Sequence, residues 1–210
     1  MKIFALTAVL GAALATAAGA APPASLTIAA STTVVNYGSP VTLSGKLSTQ
    51  KSNQAIGIGA TECGKTQQSK AATVKTVAGG TYSAAVTPTI GTAYQATYKN
   101  VKSASVSITV RPLLELTKVA TGSYSAKATA GQALTGKFVL FQRYRKLKRR
   151  WVQVKRLALG AAVPGATKPA MVSSVSFKSA LPHGTRVRMV ITAKQAGPCY
   201  AAATSKSLRA

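Results

Sequence analysis

The chain has no aspartate, two glutamates (Glu62 and Glu115), one histidine and two cysteines among its 210 residues. That inventory excludes most catalytic schemes. Glycoside cleavage needs two facing carboxyl groups, and Glu62 and Glu115 fall in different halves of the chain. A serine triad needs a histidine oriented by a carboxylate, whereas His183 sits alone in the turn-like segment LPHGT. Two cysteines and one histidine do not complete a tetrahedral zinc site. No stretch reaches the ~18 apolar residues of a spanning helix. The expectation is a protein that is not an enzyme, with no cofactor, no metal and no transmembrane span.

One segment argues the other way. GATECGKT, residues 59–66, matches G-x-x-x-x-G-K-[ST], the loop whose backbone N–H groups cradle nucleotide phosphates between a parallel strand and a helix. Here the alternation of Ala72, Val74 and Thr76 with Thr73, Lys75 and Val77 predicts a strand after the motif, not a helix. The carboxylate that holds the magnesium shell is also missing. Gly59, Gly64 and Lys65 are read as strand-end and turn residues, and no nucleotide is expected.

Residues 1–20, MKIFALTAVLGAALATAAGA, run from a lysine through an apolar stretch to small residues, the order of a cleaved secretory signal peptide. No lipobox cysteine follows, and the C-terminal SKSLRA carries no apolar anchor. The expected location is secreted, extracellular or held non-covalently at the cell envelope. In such an oxidising compartment Cys63 and Cys199 pair by default. A Cys199–His183 pair is the alternative, which a disulfide would silence.

From Ser25 onward, short runs rich in Val, Thr, Ile, Ala and Tyr recur about every ten residues, among them PVTLSGKL, QAIGIGA, TYSAAVTPT and ASVSITV. Val106, Ile108 and Val110 alternate with Ser105, Ser107 and Thr109. Period-two patterning with regular turns predicts an all-β chain. SITVRP closes one set of strands and LLELTKV starts the next, so two tandem β-sandwich domains are expected, at 25–111 and 112–210. The short link implies a restricted orientation.

NYGSPVTLSGKL, GGTYSAAVTPTIGTAYQATY and SVSITVRP resemble one repeat of the bacterial immunoglobulin-like domains of secreted and surface proteins. GKFVLFQ, RWVQVKRLAL and GTRVRMVITAKQAG resemble a second. The likeness spans most of residues 25–205 and implies immunoglobulin-like sandwiches used for adhesion, spacing or binding. The chain departs from that pattern in having only two units and a heavy basic load.

Lysine and arginine number 27, for a net charge of +25. Residues 25–111 carry eight against one glutamate, a net +7, and residues 112–210 carry eighteen against one, a net +17. A one-signed field of this size attracts polyanions. The densest stretch is RYRKLKRRWVQVKR, residues 143–156, with eight cations in fourteen positions. FVLFQ and WVQV on either side predict a hairpin with Arg145–Arg150 at its tip. The candidate anion-binding residues are Arg143, Arg145, Lys146, Lys148, Arg149, Arg150, Lys155 and Arg156. Arg186 and Arg188 join them, sent away from the core by alternation with Val187, Met189 and Ile191. Tyr144 and Trp151 offer stacking faces beside the arginines. The expected partner is an anionic cell-envelope polymer or other polyanion, with nucleic acid as the alternative.

Overall fold

The computed structural model of the chain describes residues 23–210, so the expected signal segment at 1–20 lies outside the described residues. Ahead of Pro112 run β1 (Ala29–Ala30), β2 (Val34–Asn36), β3 (Val41–Lys46), β4 (Ala55–Glu62), β5 (Ser69–Lys75), β6 (Thr81–Val86), β7 (Thr92–Tyr98) and β8 (Val101–Arg111). After it come β9 (Leu113–Ala120), β10 (Ser123–Ala130), β11 (Phe138–Arg145), β12 (Arg150–Ala158), β13 (Val163–Pro164), β14 (Met171–Lys178) and β15 (Arg186–Ile191). A single-turn helix α1 (Ala193–Ala196) precedes β16 (Ala203–Thr204) and β17 (Leu208–Arg209). The described chain is all-β apart from α1 and a 3-10 turn at Ala78–Gly80.

The strands form two pairs of sheets. In the N-terminal pair, β1-β3-β6 faces β2-β8-β7-β4-β5; in the C-terminal pair, β13-β14-β10-β9 faces β12-β11-β15-β16, with β17 also on β15. In each half one strand links an earlier strand to a later one in one sheet (β3 between β1 and β6, β10 between β9 and β14), while the hairpin that intervenes in sequence lies in the other sheet. That is the immunoglobulin-like division of a Greek-key sandwich. The N-terminal half adds β2, which runs parallel to β8.

Alternation selects the buried faces. On β6 every second residue is buried, and on β15 Val187, Met189 and Ile191 are inaccessible while Arg186, Arg188 and Val190 point outward. Between the C-terminal sheets, Tyr124 on β10 and Phe177 on β14 meet Phe141 of β11 with ring centroids 4.9–5.5 Å apart. Aromatic contacts of this kind add about 0.5–1.5 kcal/mol each to the apolar burial.

The two sandwiches are tied where they meet. Cys63, just past β4, forms a disulfide with Cys199, with Cα atoms 5.4 Å apart and a sequence separation of 136. Around it Cys63 N–H donates to Gly91 O (2.7 Å), Gly91 N–H to Cys199 O (3.0 Å) and Ala201 N–H to Val110 O (2.9 Å). Backbones can approach this closely because side chains are absent: a Cβ on Gly91 would stand 2.9 Å from Cys199 O, and one on Gly131 2.7 Å from Thr89 O. Tyr200 fills the seam, and burial pushes its phenol up to about 12.

Candidate anion-binding surface

Residues 138–158 form the hairpin that the sequence pattern predicts. β11 and β12 pair from Phe138 opposite Ala158 to Arg145 opposite Arg150. The turn between them closes with Arg149 N–H donating to Lys146 O (3.1 Å), Arg149 taking the left-handed φ of 46°. The pairing is not uniform. Phe141 faces Lys155 while Gln142 faces Gln153, so Val154 is an extra residue, a bulge.

That bulge decides which cations share a face. Strict alternation from Trp151 would send Gln153, Lys155 and Leu157 outward together. With Val154 inserted, Arg156 joins Trp151 and Gln153 on the outer face, and Val154 and Leu157 pack against the core. Lys155 turns to the opposite sheet, its Nζ donating to Lys178 O at 2.6 Å.

On the outer face arginines and aromatic rings interleave. The guanidinium of Arg156 lies 3.7 Å from the Phe138 ring centroid, and that of Arg188 lies 4.2 Å from Trp151. Arg186 stands 5.6 Å from Tyr144 and 5.8 Å from Trp151, whose own centroids are 5.4 Å apart. Arg188 Nε donates to Gln142 Oε1 (2.9 Å) and Arg186 Nη2 to Ser207 Oγ (3.3 Å). Arg209 joins them, being the cross-strand partner of Arg186. Burial holds the Arg188 guanidinium below its ordinary pKa. Stacking fixes the planes of these groups while leaving edge N–H donors for phosphate, sulfate or carboxylate oxygens.

Within the expected site, Tyr144 and Trp151 already have the guanidinium groups of Arg186 and Arg188 against their rings. The hairpin cations do not make one surface. Arg143, paired with the fully buried Val187, points to the side opposite Tyr144, as do Arg145 and Arg150 two residues on. The candidates therefore divide into an outer set (Arg156, Arg186, Arg188), a tip (Lys146, Lys148, Arg149) and an inner rim (Arg143, Arg145, Arg150, Lys155). Gln142 and Arg209 were missed. Alternation with Tyr144 signals Gln142, but Arg209 reaches the site only through a long-range strand pairing.

Neither glutamate neutralises this region. Glu62 Oε2 lies 2.8 Å from Lys65 Nζ, and Glu115 Oε2 lies 3.4 Å from Lys127 Nζ. At the foot of the tip a cavity of about 220 Å³ is lined by Tyr144, Lys146, His183, Gly184, Thr185 and Arg186.

The segment GATECGKT folds as strand and turn. Gly59 is interior to β4, antiparallel to both β7 and β5, and not at a strand end as expected. Gly64 takes φ 82° in a turn closed by Lys65 N–H donating to Glu62 O at 2.9 Å. The next element along the chain is β5, so the loop leads into a strand and not into a helix N-terminus. His183 lies in a turn closed by Thr185 N–H donating to Pro182 O (3.1 Å), and both cysteines are in the disulfide.

No family model matches the chain, and no curated protein matches it. Among solved structures it is similar to three described as marsupial T cell receptor, with TM-scores of 0.35, 0.34 and 0.33 and identities of 9%, 9% and 11%. The alignments cover 90%, 89% and 87% of this chain and 100%, 100% and 70% of those. Overlap at that level adds nothing to the strand order itself.

Proposed function

We propose that the chain is a non-enzymatic, extracytoplasmic protein of immunoglobulin-like build that holds or bridges anionic polymers of a cell surface through its C-terminal sandwich. The observation that carries this reading is the outer face of β11, β12 and β15, where three guanidinium groups are ordered by aromatic rings while both glutamates of the chain pair with lysines elsewhere. Ordered arginines without acidic partners bind oxyanions at little conformational cost. The disulfide fits an oxidising compartment. The engaged glutamates, the bridged cysteines and the strand-turn geometry of residues 59–66 support the non-enzymatic and non-nucleotide part of the reading.

The test is retention of the protein on a soluble anionic polymer across a salt titration, with wild type beside Arg156→Ser/Arg186→Ser/Arg188→Ser. Retention at low salt that weakens in the triple variant is expected. Wild type that flows through even at ~10 mM salt, where the Debye length is ~30 Å, ends the reading.

Nucleic acid is the second reading, favoured by the concentration of Lys146, Lys148 and Arg149 on one turn, closed by the cross-strand pair Arg145–Arg150. It requires a salt slope near −0.9 per neutralised phosphate on duplex DNA, and a slope near zero dismisses it.

A further inference from the structure

The apex of the β11–β12 turn is Leu147, wholly exposed at 102% of its reference surface. Its neighbours are Arg145, Lys146, Lys148, Arg149 and Arg150. The closed turn holds the leucine away from the body, so it packs on nothing among the described residues. A loop apex in water favours polar residues, and a soluble polyanion would satisfy the cations without giving the leucine any gain. A bilayer offers both phases within a few ångströms, phosphates first and acyl chains behind them.

We propose that this tip docks on an anionic phospholipid surface, with Leu147 entering the acyl boundary and a lipid phosphate seated in the cavity of Tyr144, Lys146, His183 and Arg186. The inference rests on the polyanion reading above and narrows it to one partner. Three further observations carry it. The cavity adjoins the apex through Lys146 itself and gathers Lys146 and Arg186 against one aromatic ring. Tyr144 and Trp151 pair directly behind the tip, about 7–10 Å from the apex at strand spacing, the depth at which amphipathic rings sit at a headgroup layer. The tip is also free of the junction: β15 begins beside it at Arg186 and runs away toward α1 and Cys199, where the other sandwich is held.

Each lysine or arginine near an anionic surface strengthens binding about fivefold, so the charged ring supplies most of the attraction and the leucine supplies selectivity for lipid. The mature chain is sedimented with phosphatidylcholine vesicles, with vesicles rich in phosphatidylglycerol, and in parallel is retained on soluble polyphosphate. Wild type binds the phosphatidylglycerol vesicles and the polyphosphate. Leu147→Ser weakens vesicle binding about tenfold and leaves polyphosphate retention and the melting temperature unchanged. Lys146→Ser/Arg186→Ser weakens vesicle binding about 25-fold, whereas Lys70→Ser/Lys75→Ser on β5 loses less than a tenth of that.

Leu147→Ser that matches wild type on vesicles overturns the inference and leaves the polyanion reading standing. So does wild type that holds polyphosphate and ignores vesicles. Wild type that ignores both brings down the polyanion reading itself.

Discussion

The β4–β5 and β11–β12 hairpins occupy the same place in their sheets, one beside β7 and the other beside β15. The N-terminal turn carries Cys63 into the disulfide and sets its lysine, Lys65, against Glu62. The C-terminal turn carries Lys146, Lys148 and Arg149 around an exposed leucine, and both glutamates pair with other lysines. One topological position thus serves as a joint in the first sandwich and as a charged probe in the second. What separates them is a handful of turn residues, since the framework of strands is shared. The two halves thus differ at this turn in charge and bonding while the strand framework is the same.

The sharpest way to break the comparison is to remove the joint. Cys63→Ala/Cys199→Ala opens a loop of 136 residues, which the chain-entropy model values at about 4–5 kcal/mol. Thermal unfolding should drop by roughly 10 °C, and a second transition should separate as the sandwiches uncouple. Polyanion retention of the folded variant should stay at the wild-type level, because the joint does not touch the probe.

Next comes the probe. Changing Lys146, Lys148, Arg149 and Arg150 together to Ser should flatten the salt dependence of polyanion binding by about three to four counterions. Melting should hold or rise slightly as like charges separate. The same four-residue loss spread over Lys51, Lys70, Lys75 and Lys102 of the N-terminal half should change the slope far less. Equal effects would show that net charge, and not the tip, governs binding.

How much of this was legible in the sequence depends on the range of the interactions. Alternation of Val187, Met189 and Ile191 with Arg186 and Arg188 is local, and it placed that strand and its outward arginines. The turn between FVLFQ and WVQV was legible for the same reason. The bulge at Val154 was not: nothing in WVQVKR marks the break, which arises because Leu157 and Val154 both reach the core. The pairing of β2 parallel to β8, and the two short strands β16 and β17, depend on partners far along the chain. α1 is a single turn, capped by the Thr192 hydroxyl accepting from Gln195 N–H at 3.4 Å, and four residues are too few to show a helical period. The faces of Lys155 and Arg156 were lost with the bulge, and the placing of Arg186 and Arg188 against Tyr144 and Trp151 needed the β11–β15 register.

The cores give a smaller and independent contrast. Tyr82 in the N-terminal sandwich and Tyr200 at the seam are each pushed up to about 12 by burial, from an ordinary value of 10. The neutral phenol is the form that the folded chain holds. This part of the stability is therefore intact below pH 10 and is lost as pH rises from 10 through about 12, by an order of 2–3 kcal/mol for each group. Lysines lose their charge over the same range and relieve repulsion, so the comparison must be with Tyr200→Phe, in which the alkaline loss should shrink, while Tyr82, Tyr37, Tyr94 and Tyr124, also raised by burial, keep the remainder. Melting curves at successive pH values read this directly, and an unchanged alkaline slope would remove Tyr200 from the account.

The smallest effect tests whether the quiet hairpin is quiet because of its acid. Glu62→Gln removes the partner of Lys65 while keeping the side chain's size and leaving the disulfide in place. The pair is solvent-exposed, with side chains 66% and 39% accessible, and exposed pairs contribute only about 0.2–1 kcal/mol, so melting should move by a degree or two at most. Binding is the more telling readout. If the acid is what keeps this turn from attracting anions, the freed Lys65 should steepen the polyanion salt slope by less than one counterion. The gain should vanish in Glu62→Gln/Lys65→Ser. A slope that does not move would mean that a lone cation on a turn counts for nothing, and that it is the clustering of Lys146, Lys148 and Arg149 that distinguishes the second hairpin.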